Sequence, residues 1–236
     1  MQIDNPEAYI AASDLELLPR LLPLDDARVL ELGCGRAWMT RQISERFPVR
    51  ELLATEVDRI QHRRNLRIAD LPRVQFRYGG AEAIDLADAA ADIVLMFKSL
   101  HHVPTELMDQ ALGEIRRVLG PGGLAYISEP IYGGEFNRLL RMFHDEQAVR
   151  QAAFDAVRRA VERGALELVR QVFFLAPSRF ADFADFERRI IQVTHTEHRI
   201  APEVYARLRA CFEAAMTPDG AEFIQPHRVD LLRRPG

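Results

Sequence analysis

The sequence predicts an α/β protein: a doubly wound, mostly parallel sheet of seven strands, with a helical cap from the C-terminal half. Three observations carry this expectation. Short apolar runs alternate with helical patterns through the first half, the signature of βαβ units. The run Arg28–Leu32 ends in Gly33-Cys34-Gly35 and passes directly into a helical pattern. After Pro130 the pattern turns largely helical, with no second glycine-rich loop, internal repeat or low-complexity linker. The 236 residues therefore read as one domain, with a core at about 25–130, a cap and sheet-completing elements at about 131–220, and a last strand at about 222–233.

Each element has its own signal. Pro6 to Leu22 reads as an amphipathic helix leading in. Arg28–Leu32 is a short buried strand, followed by a helix from about Arg36 to Phe47. Leu52–Glu56 is the second strand, Asp58 to Ala69 a helix, and Val74–Tyr78 an alternating third strand. Asp92–Phe97 is apolar enough to be buried on both faces. Pro104 opens a helix whose apolar stripe runs through Leu107, Met108, Leu112, Ile115 and Leu119. Gly120-Pro121-Gly122-Gly123 stops it, and Leu124–Ser128 is the fifth strand. Phe136 to Glu162 is largely helical, Leu166–Leu175 a strand, Ser178 to Val193 and Pro202 to Met216 helices, and Phe223–Leu232 the last strand.

Composition narrows the function classes. Hydrophobic residues make up 48% and charged residues 28%, which is neither disordered nor membrane-spanning composition. No apolar run approaches the roughly 18 residues of a spanning helix. The first residues carry Asp4 and Glu7 and lack the basic, then apolar, pattern of a secretory leader, so the expected location is the cytoplasm. Cys34 and Cys211 form no Cys-x-x-Cys pair, which argues against a zinc site or a disulfide framework. A net charge of −4 disfavours a broad basic face for nucleic acid.

Chemistry concentrates at Val29-Leu30-Glu31-Leu32-Gly33-Cys34-Gly35-Arg36-Ala37. A buried strand ending in glycines and turning at once into a helix leaves backbone N–H groups beside a helix N-terminus, where a ligand's polar groups approach. Acidic residues follow one βαβ unit later at Glu56 and Asp58, where a carboxylate can accept hydrogen bonds from a ribose. Dinucleotide binding is the rival reading. Its Gly-x-Gly-x-x-Gly fingerprint needs glycine where this chain has Trp38.

The segment Glu31-Leu32-Gly33-Cys34-Gly35-Arg36-Ala37 resembles motif I of the class I S-adenosylmethionine-dependent methyltransferases, with Ala37 where a third glycine is common. Ala54-Thr55-Glu56-Val57-Asp58 resembles motif II, and Gly80-Ala81-Glu82-Ala83 the loop that edges the adenine. Met96–Pro104 resembles the segment after the fourth strand, and Glu114–Gly123 the helix and turn before the fifth. The similarity runs from about Asp25 to Pro130 and is nearest the ubiquinone/menaquinone-biosynthesis-like branch.

The resemblance implies a Rossmann-like fold with S-adenosyl-L-methionine as cofactor. Glu31 and the backbone of Gly33, Cys34 and Gly35 would hold the methionine end. Glu56, with Asp58 second, would hold the ribose, and Val57 would cover one adenine face. Gly80, Ala81 and Glu82 would edge the adenine, with Gly80 standing where the family often has an aspartate. The methyl would point past Phe97–His101 toward a pocket under the cap.

His101 and His102 are the candidate general bases, with loop packing as the alternative role for either. Glu129 and Tyr132, after the fifth strand, are candidate acceptor contacts. His144-Asp145-Glu146 and His195-x-x-His198 offer no third ligand at defined spacing, so no metal is expected. Phe173, Phe174, Phe180, Phe183 and Phe186 read equally as core and as pocket wall. The expected partner is a small-molecule methyl acceptor. The alternatives are methylation of a protein or RNA, with Arg138, Arg141 and Arg150 converging on an open groove, and a non-catalytic cofactor-binding module.

Overall fold

Apolar strands with helices on either side build a sheet whose central strands are buried on both faces. The computed structural model describes residues 1–194 and 196–236. The strands are β1 (Tyr9–Ala11), β2 (Arg28–Leu32), β3 (Glu51–Glu56), β4 (Val74–Tyr78), β5 (Ala91–Phe97), β6 (Leu119–Pro130), β7 (Glu167–Phe180), β8 (Met216–Thr217) and β9 (Gly220–Arg233). The helices are α1 (Asp14–Leu21), α2 (Trp38–Arg46), α3 (Arg59–Asn65), α4 (Met108–Val118), α5 (Gly134–Leu140), α6 (Gln147–Glu162), α7 (Phe183–Phe186) and α8 (Pro202–Glu213).

The strand order is β1-β7-β9-β6-β5-β2-β3-β4, with β8 paired to β9. Seven strands form the expected doubly wound sheet; the three-residue β1 and two-residue β8 are short additions. From β2 the chain builds outward to β3 and β4, then returns to lay β5 on the other side of β2. The crevice outside the carboxyl ends of β2 and β5 is thus the topological switch point, where open α/β sheets bind ligands. β9 runs antiparallel between β6 and β7.

Strand alternation sorts side chains into two layers. Leu30, Leu32, Val94, Met96, Ala125 and Ile127 face α4 and α6. Val29, Leu52, Ile93, Leu95, Phe97 and Tyr126 face α1 and α2. A third core, including Phe136, Phe180, Phe183, Phe186, Phe212 and Phe223, lies within the cap.

Three expected elements differ. The leading helix begins at Asp14 instead of Pro6, because Tyr9–Ala11 pairs with Phe173–Leu175 of β7 and Ser13 closes a capping box with Glu16. The expected helix from Ser178 is still strand to Phe180, where Ser178, Arg179 and Phe180 pair with Phe223, Glu222 and Ala221. Asp182 then caps the helix, accepting from the Asp185 amide at 2.7 Å; it runs as α7 and continues as a π-helical turn over Glu187–Ile191, close to the expected end. The Gly120–Gly123 turn lies inside β6 as an irregularity, where pairing to β5 shifts between Ala91 and Ile93.

Candidate functional site

At the switch point the loop after β2 is clamped to the end of β3. Gly33 takes φ +74°, and a Cβ there would stand 2.8 Å from the Cβ of Ser99, on the loop after β5. The Ser99 hydroxyl donates to the Leu32 carbonyl at 2.8 Å and ties the two loops together. The expected free amides of Gly33 and Cys34 are not free: both donate to the Thr55 carbonyl, at 3.0 and 2.9 Å. The amides left for a ligand belong instead to the first turn of α2, which no intrahelical bond can satisfy.

Glu56 ends β3, almost fully buried, and accepts from the amides of Gly35 at 2.7 Å and Asp58 at 2.8 Å, one on each oxygen. Each oxygen keeps lone-pair capacity for a further donor. No atom lies within 4 Å of where a Gly35 Cβ would sit, so the loop opens onto unfilled space beside this carboxylate. Asp58 is committed differently: it caps α3, accepting from the amides of Ile60 and Gln61. Its neighbour Val57 is a 54% exposed apolar side chain at the crevice rim.

Glu31 lies behind the loop, with the Thr40 hydroxyl of α2 donating to it at 2.6 Å. Burial pushes its pKa up to about 7; the Glu56 charge adds to the rise and the Thr40 bond opposes it. Cys34 is also buried, its sulfur 3.4 Å from the Asn65 amide nitrogen, and desolvation raises its thiol pKa. Gly80 has Glu82 folded over it: a Cβ at 80 would stand 2.3 Å from the Glu82 carboxylate. Glu82 thus fills the space an aspartate side chain would take at 80. Ala81 is buried beneath it.

Phe97 is buried and tilted against Tyr126, with ring centroids 5.7 Å apart. One residue on, Lys98 takes φ +55°, uncommon for a side-chain-bearing residue, and its amide donates to the Ser128 carbonyl at 2.7 Å. Near Lys98, Asp14 accepts from the Tyr126 hydroxyl at 2.8 Å, and buried His227 stacks on Phe174. His227 Nδ1 has no hydrogen-bond partner among the described residues, and its pKa is held well below the usual imidazole range, by burial first and then by Lys98 and Arg150. The sequence gives no pointer to this group, whose members lie as far apart as Asp14 and His227.

The two histidines separate. His101 is buried and hydrogen-bonded through Nδ1 to Glu129, while His102 is exposed, its ring centroid 4.1 Å from that of His101. Glu129 also accepts from the Leu100 amide at 2.9 Å, so it serves the loop and His101. Burial alone would raise Glu129; the His101 charge and hydrogen bond, the Leu100 amide and the Arg228 charge together more than offset this and lower it. Tyr132 is half-buried beyond the strand end.

Beyond His101 lies Glu146, whose Oε2 accepts from Arg150 at 2.6 Å. Arg150 also donates to Asn137 and to the Ile131 carbonyl. Arg150 is therefore a buried tie within the cap and does not converge with Arg138 and Arg141 on a groove. An open groove of about 660 Å³ does border the Gly35 loop, lined by Arg36, Arg64, Arg188 and Arg189 among others. Phe180, Phe183 and Phe186 pack in the cap core, and Phe173 and Phe174 are buried in β7. His195 lies outside the described residues; His198 rests beside His144, centroids 4.8 Å apart.

Comparison with known proteins agrees with this geometry. The profile of the methyltransferase domain family matches residues 29–123. An S-adenosylmethionine-dependent methyltransferase candidate of Mycolicibacterium smegmatis is 35% identical over 106 residues, covering 43% of this chain and 37% of its own. Trans-aconitate 2-methyltransferase of Variovorax paradoxus is 29% identical over 132 residues, covering 53% of this chain and 49% of its own. The chain thus spans less than half the length of these curated relatives. A solved structure of a candidate methyltransferase from Bacillus halodurans superposes with TM-score 0.66 at 16% identity, covering 95% of this chain and 100% of the other, which shows a shared fold. Residues 29–123 thus resemble a methyltransferase domain, and no described helix is long and apolar enough to cross a membrane.

Proposed function

We propose that this chain transfers a methyl group from S-adenosylmethionine to a small-molecule acceptor, and that its motifs place it near the ubiquinone/menaquinone-biosynthesis-like branch. One observation carries the cofactor assignment: the Glu56 carboxylate, fixed by two backbone amides, beside open space at Gly35. A carboxylate so oriented accepts two vicinal ribose hydroxyls without further ordering, each charged hydrogen bond worth roughly 1.5–3 kcal/mol. Exposed Val57 offers an apolar face to the adenine, and Glu82, folded over Gly80, supplies the acceptor that an aspartate gives elsewhere. Glu31 and the first turn of α2 meet the methionine end. Asp58 is assigned to helix capping and Cys34 to packing.

S-adenosylmethionine supplies a methyl group on a sulfonium sulfur, a good leaving group. What the chain contributes is alignment and exclusion of water, and orientation of reactants is worth up to roughly 7–11 kcal/mol. The polar group of Asp14, Lys98 and His227 supports an acceptor site on the α1 side of the sheet edge. His101 is oriented by Glu129 as a base is oriented by a carboxylate, but it is buried, so we assign proton removal to exposed His102 or to the acceptor's own ionisation. The small-molecule reading draws support from a relative whose name specifies trans-aconitate. The arginine-lined groove favours an anionic acceptor, and RNA is the second reading it supports.

Thermal denaturation with S-adenosylhomocysteine, and separately with NAD, tests the cofactor assignment. At a hundred times Kd the homocysteine product should stabilise the chain by about 2.7 kcal/mol. Glu56→Gln should bind it at least about tenfold more weakly, as loss of one charged hydrogen bond implies. Stabilisation by NAD alone would overturn the reading.

A further inference from the structure

Glu146 stands where imidazoles from two separate segments meet. His101 and His102 reach it from the loop after β5, and His144 from its own loop, with His144 Nε2 3.2 Å from Glu146 Oε1. His101 Nε2 lies 3.8 Å from the same oxygen, beyond hydrogen-bond reach. One donor atom each from His101, His102 and Glu146 fall within 4.8 Å of one another. Two nitrogen or oxygen ligands at about 2.0–2.1 Å from a tetrahedral ion are themselves about 3.4 Å apart. The set spans up to 4.8 Å and would draw in by about 1.4 Å on binding an ion, a movement that exposed His102 would share.

The surroundings are those of a ligand set. Glu129 takes the Nδ1 proton of His101, fixing the tautomer that leaves the Nε2 lone pair directed toward Glu146. Glu129 is itself anchored by the Leu100 amide. Arg150 occupies Oε2 of Glu146, so Oε1 is the oxygen turned to the imidazoles. Three buried carboxylates, Glu129, Glu146 and Asp230, face two buried guanidiniums, Arg150 and Arg228.

We propose that His101, His102 and Glu146 bind one divalent transition cation, with His144 available as a fourth donor. Two imidazoles and a carboxylate favour Zn²⁺, Co²⁺, Ni²⁺ or Fe²⁺ over Mg²⁺ and Ca²⁺, which prefer an all-oxygen shell. This departs from the sequence expectation of no metal. It rests on side-chain geometry alone and does not depend on methyl transfer.

The test is titration of the full, untagged, chelator-treated chain with Co²⁺, read by visible absorption, and with Zn²⁺, read by calorimetry. The expected result is one equivalent bound, the ligand-field bands of an N/O site, displacement of Co²⁺ by Zn²⁺, and none by Mg²⁺. His102→Ala, at an exposed position, should keep the wild-type circular dichroism and lose at least about tenfold in Zn²⁺ affinity. Glu129→Gln should weaken binding about tenfold through the orientation of His101. Absence of saturable one-equivalent binding by the wild-type chain overturns the proposal. So does a folded His102→Ala or His102→Gln variant that binds like wild type.

Discussion

Glu31 shows how one position serves both fold and site. With its pKa pushed up to about 7 by burial, from an ordinary 4.5, the folded chain keeps a proton that the unfolded chain gives up between those values. Its contribution to stability is therefore complete below about pH 4.5 and is lost as pH rises toward 7. Urea denaturation across pH 5 to 7 should show this decline, and Glu31→Gln should flatten it. If the ionised carboxylate meets the cationic methionine end of the cofactor, affinity for S-adenosylhomocysteine should rise by up to tenfold per pH unit up to about 7. The Gln variant should show no such rise. Glu31 and Glu56 were legible in the sequence because strand, glycine turn and motif spacing locate them. The capping role of Asp58 and the pairing of Glu129 with His101 were not, since each depends on how a loop bends.

At the scale of elements, the β2–α2 junction concentrates strain. Ala37 precedes α2 with φ +58°, the left-handed region, where the resembling family commonly has glycine. A Cβ in that region costs roughly 1–2 kcal/mol, part of which glycine returns through the greater entropy of its unfolded chain. Ala37→Gly should therefore raise stability by up to about 1 kcal/mol, measured by denaturant midpoint at constant m-value. Of the five parallel strands β2 to β6, four were readable from apolar runs because their faces are largely buried, and the edge strand β4 from the alternation of Val74, Phe76 and Tyr78. The N-terminal and cap boundaries were not. Tyr9–Ala11 and Ser178–Phe180 become strand only through partners far along the chain, Phe173–Leu175 and Ala221–Phe223, and local pattern carries no record of those.

Across the whole molecule, the cap has a core of its own. Phe212 of α8 is fully buried against Phe183, Phe186 and Phe223, apart from the two layers that flank the sheet. Phe212→Ala should cost roughly 3–5 kcal/mol. Hydrogen exchange should accelerate in α5, α7 and α8 before it does in β2–β6, because separate clusters open separately. No pattern in one segment announces the buried ionic chain that spans these parts, from Asp230 through Arg228, Glu129 and His101 to Glu146 and Arg150. That chain also acts as a registration key for β9. Arg228 sits opposite Glu129 on β6, with Asp230 two places on, both on the α6 side of the sheet. Sliding β9 by one residue would turn both charges toward the layer of Tyr126, Phe97 and Phe174 and away from the Glu129 and Phe154 side. A long antiparallel strand inserted late between β6 and β7 has several apolar ways to lie down, and the charges leave it one.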